Sequence, residues 1–282
     1  MLLRLRLTPA DCMESFMKHT NESVLSSRQS SDWGARLRGA SSVLLVIALW
    51  ELLSRLSLIN RNILPSFSVV ALAIVRGLIK DHHPLLVDTL ESVRRVAIGY
   101  AIAVTAALTL GLASALKKTL GDFVRPIVDL IRPIPPIAWI PIALLWFGFG
   151  DPPAYFLVGL GAFFPVFSNA VLGISAVDRG PVEVALCHGA SRRLLFLKVI
   201  LPQALPSIFT GLQTGLGVAW MVVITAELIG AQSGLGYMIQ ISRAQLQAEQ
   251  VVAGMVMIGL IGYILSTIME ACGRLLMPWR RA

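Results

Sequence analysis

The 282-residue chain is 56% hydrophobic and only 14% charged, with a mean hydropathy of +0.74. That leaves too little polar surface to cover a soluble domain of this size, so the composition places the chain in a membrane. Its formal charge of +8 does not indicate a nucleic-acid partner, because the Lys and Arg residues fall between apolar blocks instead of gathering on one face among readout groups.

Residues 1–38 are polar, Ser-rich and without steady periodicity, which predicts a cytoplasmic tail. The apolar run from Ser42 to Leu53 continues to Ile59 with no small-x-small cleavage site, so residues 40–59 read as an uncut first helix. Residues 60–85, with ILPSFSVV and DHHP, predict a connection containing a short amphipathic helix. Five further blocks follow at 92–116, 124–149, 153–176, 204–230 and 250–276. Each is long enough for a hydrocarbon core about 30 Å thick, which takes about 20 helical residues. The ~10-residue alternating segments of an outer-membrane barrel are absent. The predicted fold is an all-α integral membrane protein, a six-helix bundle forming one domain over residues 39–282.

Lys and Arg set the orientation, since they favour cytoplasmic loops. With the N-terminus inside, the tail, Lys117, Lys118, Arg125, Arg179, Arg192, Arg193, Lys198, Arg274, Arg280 and Arg281 all fall inside, against Arg61, Arg76, Lys80 and Arg243 outside. Both termini are then cytoplasmic, and so is the charged stretch at 178–202.

Chemistry is sparse. Cys12, Cys187 and Cys272 share the predicted cytoplasmic side, so no disulfide is expected. His82 and His83 are adjacent, and no second His or Cys cluster completes a metal site. Hydrolase and zincin motifs are missing, and the chain contains no Gly-Lys pair, which excludes a G-x-x-x-x-G-K-[ST] phosphate loop. Any ATP must be bound by another chain.

The third block, DLIRPIPPIAWIPIALLWFGFG, carries Pro133, Pro135, Pro136 and Pro141. Each removes an amide and crowds the carbonyl four residues back, so Asp129, Ile131, Arg132 and Ile137 can lose helical partners. Broken helices of this kind are tolerated where protein or a water-filled cavity satisfies the backbone, and they line transporter pathways. Arg132 has two readings: a partner for Asp129 three residues earlier, or a cation near the inner end of a path for an anionic solute. Glu227, near the end of the fifth block, should face the bundle interior, either bonded to the following GAQSGLG loop or lining the path. Trp139, Trp146, Phe163, Phe164 and Trp220 are aromatic lining or packing candidates, and Asn169 is a polar one. Gly211 and Gly215, at small-xxx-small spacing, predict close helix packing.

Residues 178–202 read as two short helices joined at a turn. Pro181 suits a first helical turn, Gly189 a C-terminal one, and Ser191 a helix cap, while Pro202 is predicted to end or redirect the second helix. Val182, Ala185, Leu186, Leu194, Leu195 and Leu197 give this knob an apolar patch. It is either a surface lying against lipid phosphates or a docking element for a cytoplasmic partner.

The same stretch, EVALCHGASRRLLFLKVILP, resembles the EAA loop of ABC-transporter permeases, with Glu183, Ala185, Gly189, Leu201 and Pro202 in register and Val184 and Val199 as apolar departures. LPS at 64–66, RPIPPIAWIPIALLWFGFGDPP, GAFFPVFSN, LPQALPSIFTGL and AELIG with GLGYMI are similar to the nitrate, sulfonate, taurine and bicarbonate permease group, over roughly residues 60–276.

The resemblance implies a type I ABC importer in a bacterial-type plasma (inner) membrane. Its parts are two permease copies, two cytoplasmic ATPase subunits that bind ATP and Mg, and an extracytoplasmic substrate-binding protein. It implies no cofactor in this chain. It gives ATPase-coupling roles to Glu183, Ala185, Gly189, Ala190, Ser191, Leu201 and Pro202, while Arg132, Trp139, Phe163, Asn169, Trp220 and Glu227, read from the residues themselves, are the translocation-path candidates. The implied solute is a small anion or organic anion. Two other classes stand beside this one. An ion-coupled secondary transporter would show acids near the midplane and repeated halves. A membrane scaffold would recruit a partner without solute flux.

Overall fold

The computed structural model describes residues 41–42, 44–56, 64–79 and 84–281. The tail at 1–38, Cys12, Arg61, Lys80, His82 and His83 lie outside the described residues, as does part of the predicted first helix. The chain divides into two units, Met1–Ser68 and Val69–Ala282.

In the first unit, helix α1 (residues 44–55) is met by the LPSFS segment folding back on it. Trp50 Nε1 donates to the Pro65 carbonyl at 3.0 Å and Ser54 Oγ to the Leu64 carbonyl at 3.1 Å. Glu51 accepts from the Ser68 amide and hydroxyl at 3.1 and 2.9 Å. The Phe67 ring meets Trp50 edge-on at 5.6 Å. The expected short helix follows as α2 (Phe67–Ile79).

The second unit runs α3 (Pro84–Leu116), α4 (Lys118–Ile131), a 3-10 turn (Pro136–Trp139), α5 (Ile140–Phe147), α6 (Asp151–Ser175), α7 (Arg179–Cys187) and α8 (Arg192–Leu195). It continues with a π turn (Phe196–Ile200), α9 (Leu201–Gly230), α10 (Leu235–Ala244) and α11 (Ala248–Leu276). Among the described residues, four helical stretches are by themselves long and apolar enough to cross a membrane: Leu85–Leu116, Asp151–Ser175, Arg192–Gly230 and Ala248–Leu276. A fifth span is possible only as the pair α4 and α5, which is bent by 86°.

This corrects the reading of residues 124–149 as one spanning helix. Pro133, Pro135 and Pro136 withdraw three amides within four residues, so the ladder fails after Ile131 and shorter bonds replace it. Ile134 N donates to the Ile131 carbonyl and Ala138 N to the Pro135 carbonyl, at 3.0 and 2.9 Å. The second block also starts earlier than predicted, at Pro84 and not 92. Its first turns carry Asp88, Glu91, Arg94 and Arg95, which depress hydropathy while the fold pairs most of them.

Helices α3, α6 and α9 form the packed centre. Small residues allow it: Ala107, Ala162, Ala170, Ala204 and Ala219 are fully buried. A Cβ added at Gly211 would lie 3.0 Å from the Pro165 carbonyl, and one at Gly215 would lie 2.9 Å from the Val166 side chain. In lipid, association rests on such van der Waals contact and not on water exclusion. Helix α11 joins the centre through Trp220, whose Nε1 donates to the Ile258 carbonyl at 3.1 Å. The other side of α11, with Met255, Leu260, Tyr263 and Ile268, is exposed, as a lipid-facing surface should be.

Gly211→Leu and Gly215→Leu should each separate α6 from α9. The expected outcome is loss of monodisperse protein after detergent extraction, read by size-exclusion chromatography, while Gly217→Ala, with nothing within 4 Å of its added Cβ, stays monodisperse.

Candidate functional site

Two constructions stand out, one at each end of the α3–α6–α9 centre. The first surrounds Glu227, which is 1% exposed. Its Oε1 accepts from Arg95 Nη1 at 2.8 Å, and its Oε2 from Ser92 Oγ at 2.8 Å and the Gly236 amide at 3.0 Å. Arg95 is 2% exposed. It also reaches Asp151 Oδ1 through Nε at 2.8 Å and Nη2 at 2.7 Å, and the carbonyl and hydroxyl of Ser233 at 2.7 Å each. All five guanidinium N–H groups therefore have acceptors.

The arrangement also starts α10. Its leading amides have no helical partner, and neighbouring elements supply one for each of the first three. Gly234 N donates to Asp88 Oδ1 at 2.8 Å, Leu235 N to Ser92 Oγ at 2.9 Å, and Gly236 N to Glu227. Gly234 has φ +105°, and an added Cβ would sit 2.6 Å from Arg95 Nη1, so both conformation and space require glycine. Asp151 extends the cluster outward to Arg94 at 2.5 Å and the Tyr155 hydroxyl at 3.3 Å. One buried carboxylate and one buried guanidinium thus join α3, α6, α9 and the loop before α10. A buried pair is tolerable only when its remaining donors and acceptors are satisfied, and here they are.

The expected bond from Glu227 to the GAQSGLG loop is present. Arg95, Asp151, Ser92, Asp88 and Ser233 were not singled out by the sequence reading. The signal was available: an intramembrane acid needs a partner, and Arg94 and Arg95 begin a span at the same end of the bundle.

The other path candidates are dispersed. Trp220, on α9, is 7% exposed and packs against α11. Phe163 stacks on Phe167 at 5.6 Å and helps line an apolar groove of about 620 Å³ with Ile102, Leu110, Ile127 and Phe147. Asn169 is half-buried, and its Nδ2 donates to the Pro165 carbonyl one turn back at 2.9 Å. The buried Trp139 Nε1 has no hydrogen-bond partner among the described residues, and the ring meets Phe156 edge-on. Arg132 follows α4 in helical conformation, is exposed, and forms no ion pair with Asp129. Among the described residues no group of three His, Cys, Asp or Glu side chains is placed to hold a metal ion.

The second construction is the knob at the opposite end. Asp178 caps α7 by accepting from Gly180 N at 3.2 Å, and its own amide donates to Gln203 Oε1 on α9 at 3.1 Å. Helix α7 closes in a Schellman turn: Gly189 N donates to the Leu186 carbonyl and Ala190 N to the Ala185 carbonyl, with Gly189 at φ +75°. Ser191 Oγ then caps α8, accepting from Leu194 N at 3.3 Å. Glu183, Gly189, Ser191, Arg192 and Arg193 are exposed beside Val184, Leu186, Leu194 and Leu197, while Ala185 and Ala190 are half-buried beneath them.

Pro202 does not end or redirect the helix, contrary to the sequence expectation. Leu201 N donates five residues back, to the Phe196 carbonyl, and this π turn accommodates the amide that Pro202 lacks. One helical rod therefore runs from Arg192 to Gly230, 39 residues, with half-buried Leu201 and Pro202 where the knob enters it.

The fold is an all-helical bundle with apolar helices of membrane-spanning length. It superposes on a chain of the inward-facing methionine ABC transporter with TM-score 0.58, over 75% of this chain and 97% of that one at 19% identity. The profile described as binding-protein-dependent transport system inner membrane component matches residues 104–282. The chain belongs to that family, the membrane permease subunits of ABC importers, in which ATP hydrolysis resides on a separate subunit. Among its relatives are the taurine transport system permease of Escherichia coli, 38% identical over 67% of this chain and 68% of that one, and the nitrate import permease of Synechococcus elongatus, 30% identical over 68% and 70%.

Removing Arg95 should strand the Glu227 carboxylate in the core. Arg95→Ala is expected to cost about 3–5 kcal/mol, and Arg95→Ala combined with Glu227→Gln less than the sum of the single changes. Thermal unfolding of the detergent-solubilised variants, treated as a double-mutant cycle, measures both.

Proposed function

We propose that this chain is the permease subunit of an ATP-driven importer for a small anion or organic anion, in an inner membrane with both termini cytoplasmic. Two copies enclose the path, two cytoplasmic ATPase subunits bind ATP and Mg, and an extracytoplasmic binding protein delivers the solute. The observation that carries this reading is the exposed knob on the end of a helix continuous from Arg192 to Gly230.

A loop that merely connected two spans would need neither the Schellman turn nor the exposed apolar side chains. Val184, Leu186 and Leu194 are 59%, 52% and 51% exposed, and they offer a cleft-filling surface rimmed by Glu183, Arg192 and Arg193. Ala185 and Ala190 set the close approach of α7 to α8, Ser191 fixes the entry to α8, and Leu201 and Pro202 join the knob to α9. Closure of the ATPase pair displaces the knob. Because α9 carries Glu227 at its far end, the displacement reaches α3, α6 and α10 through the Arg95 cluster, and those helices move together. Glu227 and Trp220, buried and bonded within the chain, act here as positioning residues. Trp139, Phe163 and Asn169 remain candidates for the path lining, and Arg132 is the cation that meets solute.

An anionic solute agrees with the taurine and nitrate named for the relatives. A secondary transporter is disfavoured because the buried acid Glu227 is fully engaged by Arg95, Ser92 and Gly236 and so is a poor carrier of protons or sodium.

In the reconstituted complex, Glu183→Lys and Gly189→Pro should leave insertion intact while substrate-stimulated ATP hydrolysis falls to the basal rate. Gly189→Pro is the harsher change, since it opposes φ +75° and removes the bond to Leu186. Gly189→Ala has nothing within 4 Å of the new Cβ, so it should cost only the left-handed backbone term of about 1–2 kcal/mol. Full stimulation in both harsh variants, or uptake by this chain alone on an ion gradient, overturns the proposal.

A further inference from the structure

Helix α4 carries Lys118, Asp122, Arg125 and Asp129, and Arg132 continues it in helical conformation. At 3.6 residues per turn these five fall within an arc of about 80° and alternate strictly in sign along the helix. All are exposed, and no ion pair forms among them. A neighbouring arc, with Val124, Val128 and Ile131, packs against Val104, Ala107 and Leu108 of α3 and Phe164 and Phe167 of α6. Those contacts fix the depth of the stripe, because Phe164 lies at the middle of α6, Asp151–Ser175. Asp129 and Arg132 therefore stand near mid-span while Lys118 stands at the end that carries α7. Acidic and basic side chains at that depth face a water-filled cavity or a protein partner in preference to lipid. Leu130 and Phe123, 78% and 72% exposed, occupy a different arc of the same helix and suit lipid.

We propose that this charged face lines an aqueous path through the α7-side half of the bundle. Arg132 is its deepest cation, and Asp129 is the counter-charge that keeps an anion from binding there too tightly to leave. Conduction needs a site strong enough to attract and weak enough to release, and an arginine with a carboxylate three residues away on the same face provides both. The alternating signs below it keep the lining hydrated without a deep electrostatic trap. The role of Arg132 toward an anion rests on the importer reading given above, whereas the aqueous lining rests on depth, exposure and charge alone.

The experiment uses the reconstituted complex with Cys12, Cys187 and Cys272 replaced by Ser, after its ATP-dependent uptake has been compared with that of the unsubstituted complex. Single cysteines replace Lys118, Asp129, Arg132, Phe123 or Leu130, and a membrane-impermeant anionic methanethiosulfonate is applied to the α7 side without ATP. Labelling of Lys118→Cys, Asp129→Cys and Arg132→Cys, with Phe123→Cys and Leu130→Cys unlabelled until denaturation, is the expected result. Labelling of Lys118→Cys alone would place the stripe at the lipid surface, and ready oxidative cross-linking of Arg132→Cys between two copies would place it in a dry protein contact. Either result overturns the proposal.

For transport, Arg132→Gln should lose most uptake and Arg132→Lys recover part of it, while Asp129→Asn lowers KM and kcat together. Unchanged kinetics in Asp129→Asn removes its assigned role. If the unsubstituted complex shows no ATP-dependent uptake yet the labelling pattern appears, the importer reading fails and the aqueous lining stands.

Discussion

The fold depends on how one buried charge pair is satisfied. Arg95 and Glu227 meet at 2.8 Å, each almost wholly removed from solvent. Desolvating both costs several kcal/mol per ion, and attraction alone repays it only when every remaining donor and acceptor is also matched. The match draws in Ser92, Asp151, Ser233 and the leading amides of α10. Three helices and a glycine-bearing loop are thereby held in one geometry. A Gly234 side chain, or a shift of α3 relative to α9, would leave a charge without a partner. The cluster therefore specifies an arrangement more than it contributes net stability.

The rest of the centre is assembled on different terms. Between α6 and α9 there is no charge to pair and, in lipid, little hydrophobic gain, so contact is decided by how near the backbones come. Gly211, Gly215, Ala162, Ala170 and Ala204 provide that approach. The resulting pair is stiff along its length and links two unlike ends. At one, the Arg95 cluster fixes α3, α6 and α10 to α9. At the other, the knob is a rigid extension of α9, joined through a π turn where a proline might have broken it. A displacement of the knob therefore has a continuous route to the cluster.

Helix α4 is the exception to this stiffness. Its packed arc follows α3 and α6, but Pro133, Pro135 and Pro136 end it, and the chain leaves at 86°. The prolines thus place a right-angle bend where the 3-10 turn at Pro136–Trp139 meets α6. They also leave Arg132 exposed directly after the last residue of α4. The apolar groove beside Phe163 and the charged face of α4 are separated by about a third of a turn of the same helix, so one short element carries both an apolar and a charged boundary.

The sequence by itself determined the all-helical membrane character, most of the spans, the short helix at Phe67, the two-helix knob and the small-residue packing of Gly211 and Gly215. These follow from composition, periodicity and local turn chemistry, which act over a few residues. It also required that Glu227 face the bundle interior, while leaving open whether it bonds to the next loop or lines a path. Which residues meet it there was decided only by the tertiary structure. Arg95 lies 132 residues from Glu227 in the chain and Asp151 lies 56 from Arg95, and no local rule brings them together. The fate of Pro202 was likewise undecided, since a proline stops a helix or is absorbed by a π turn depending on what the neighbouring helices hold in place. The start of α3 was hidden for the same reason: Asp88, Arg94 and Arg95 read as polar until the fold supplies their partners.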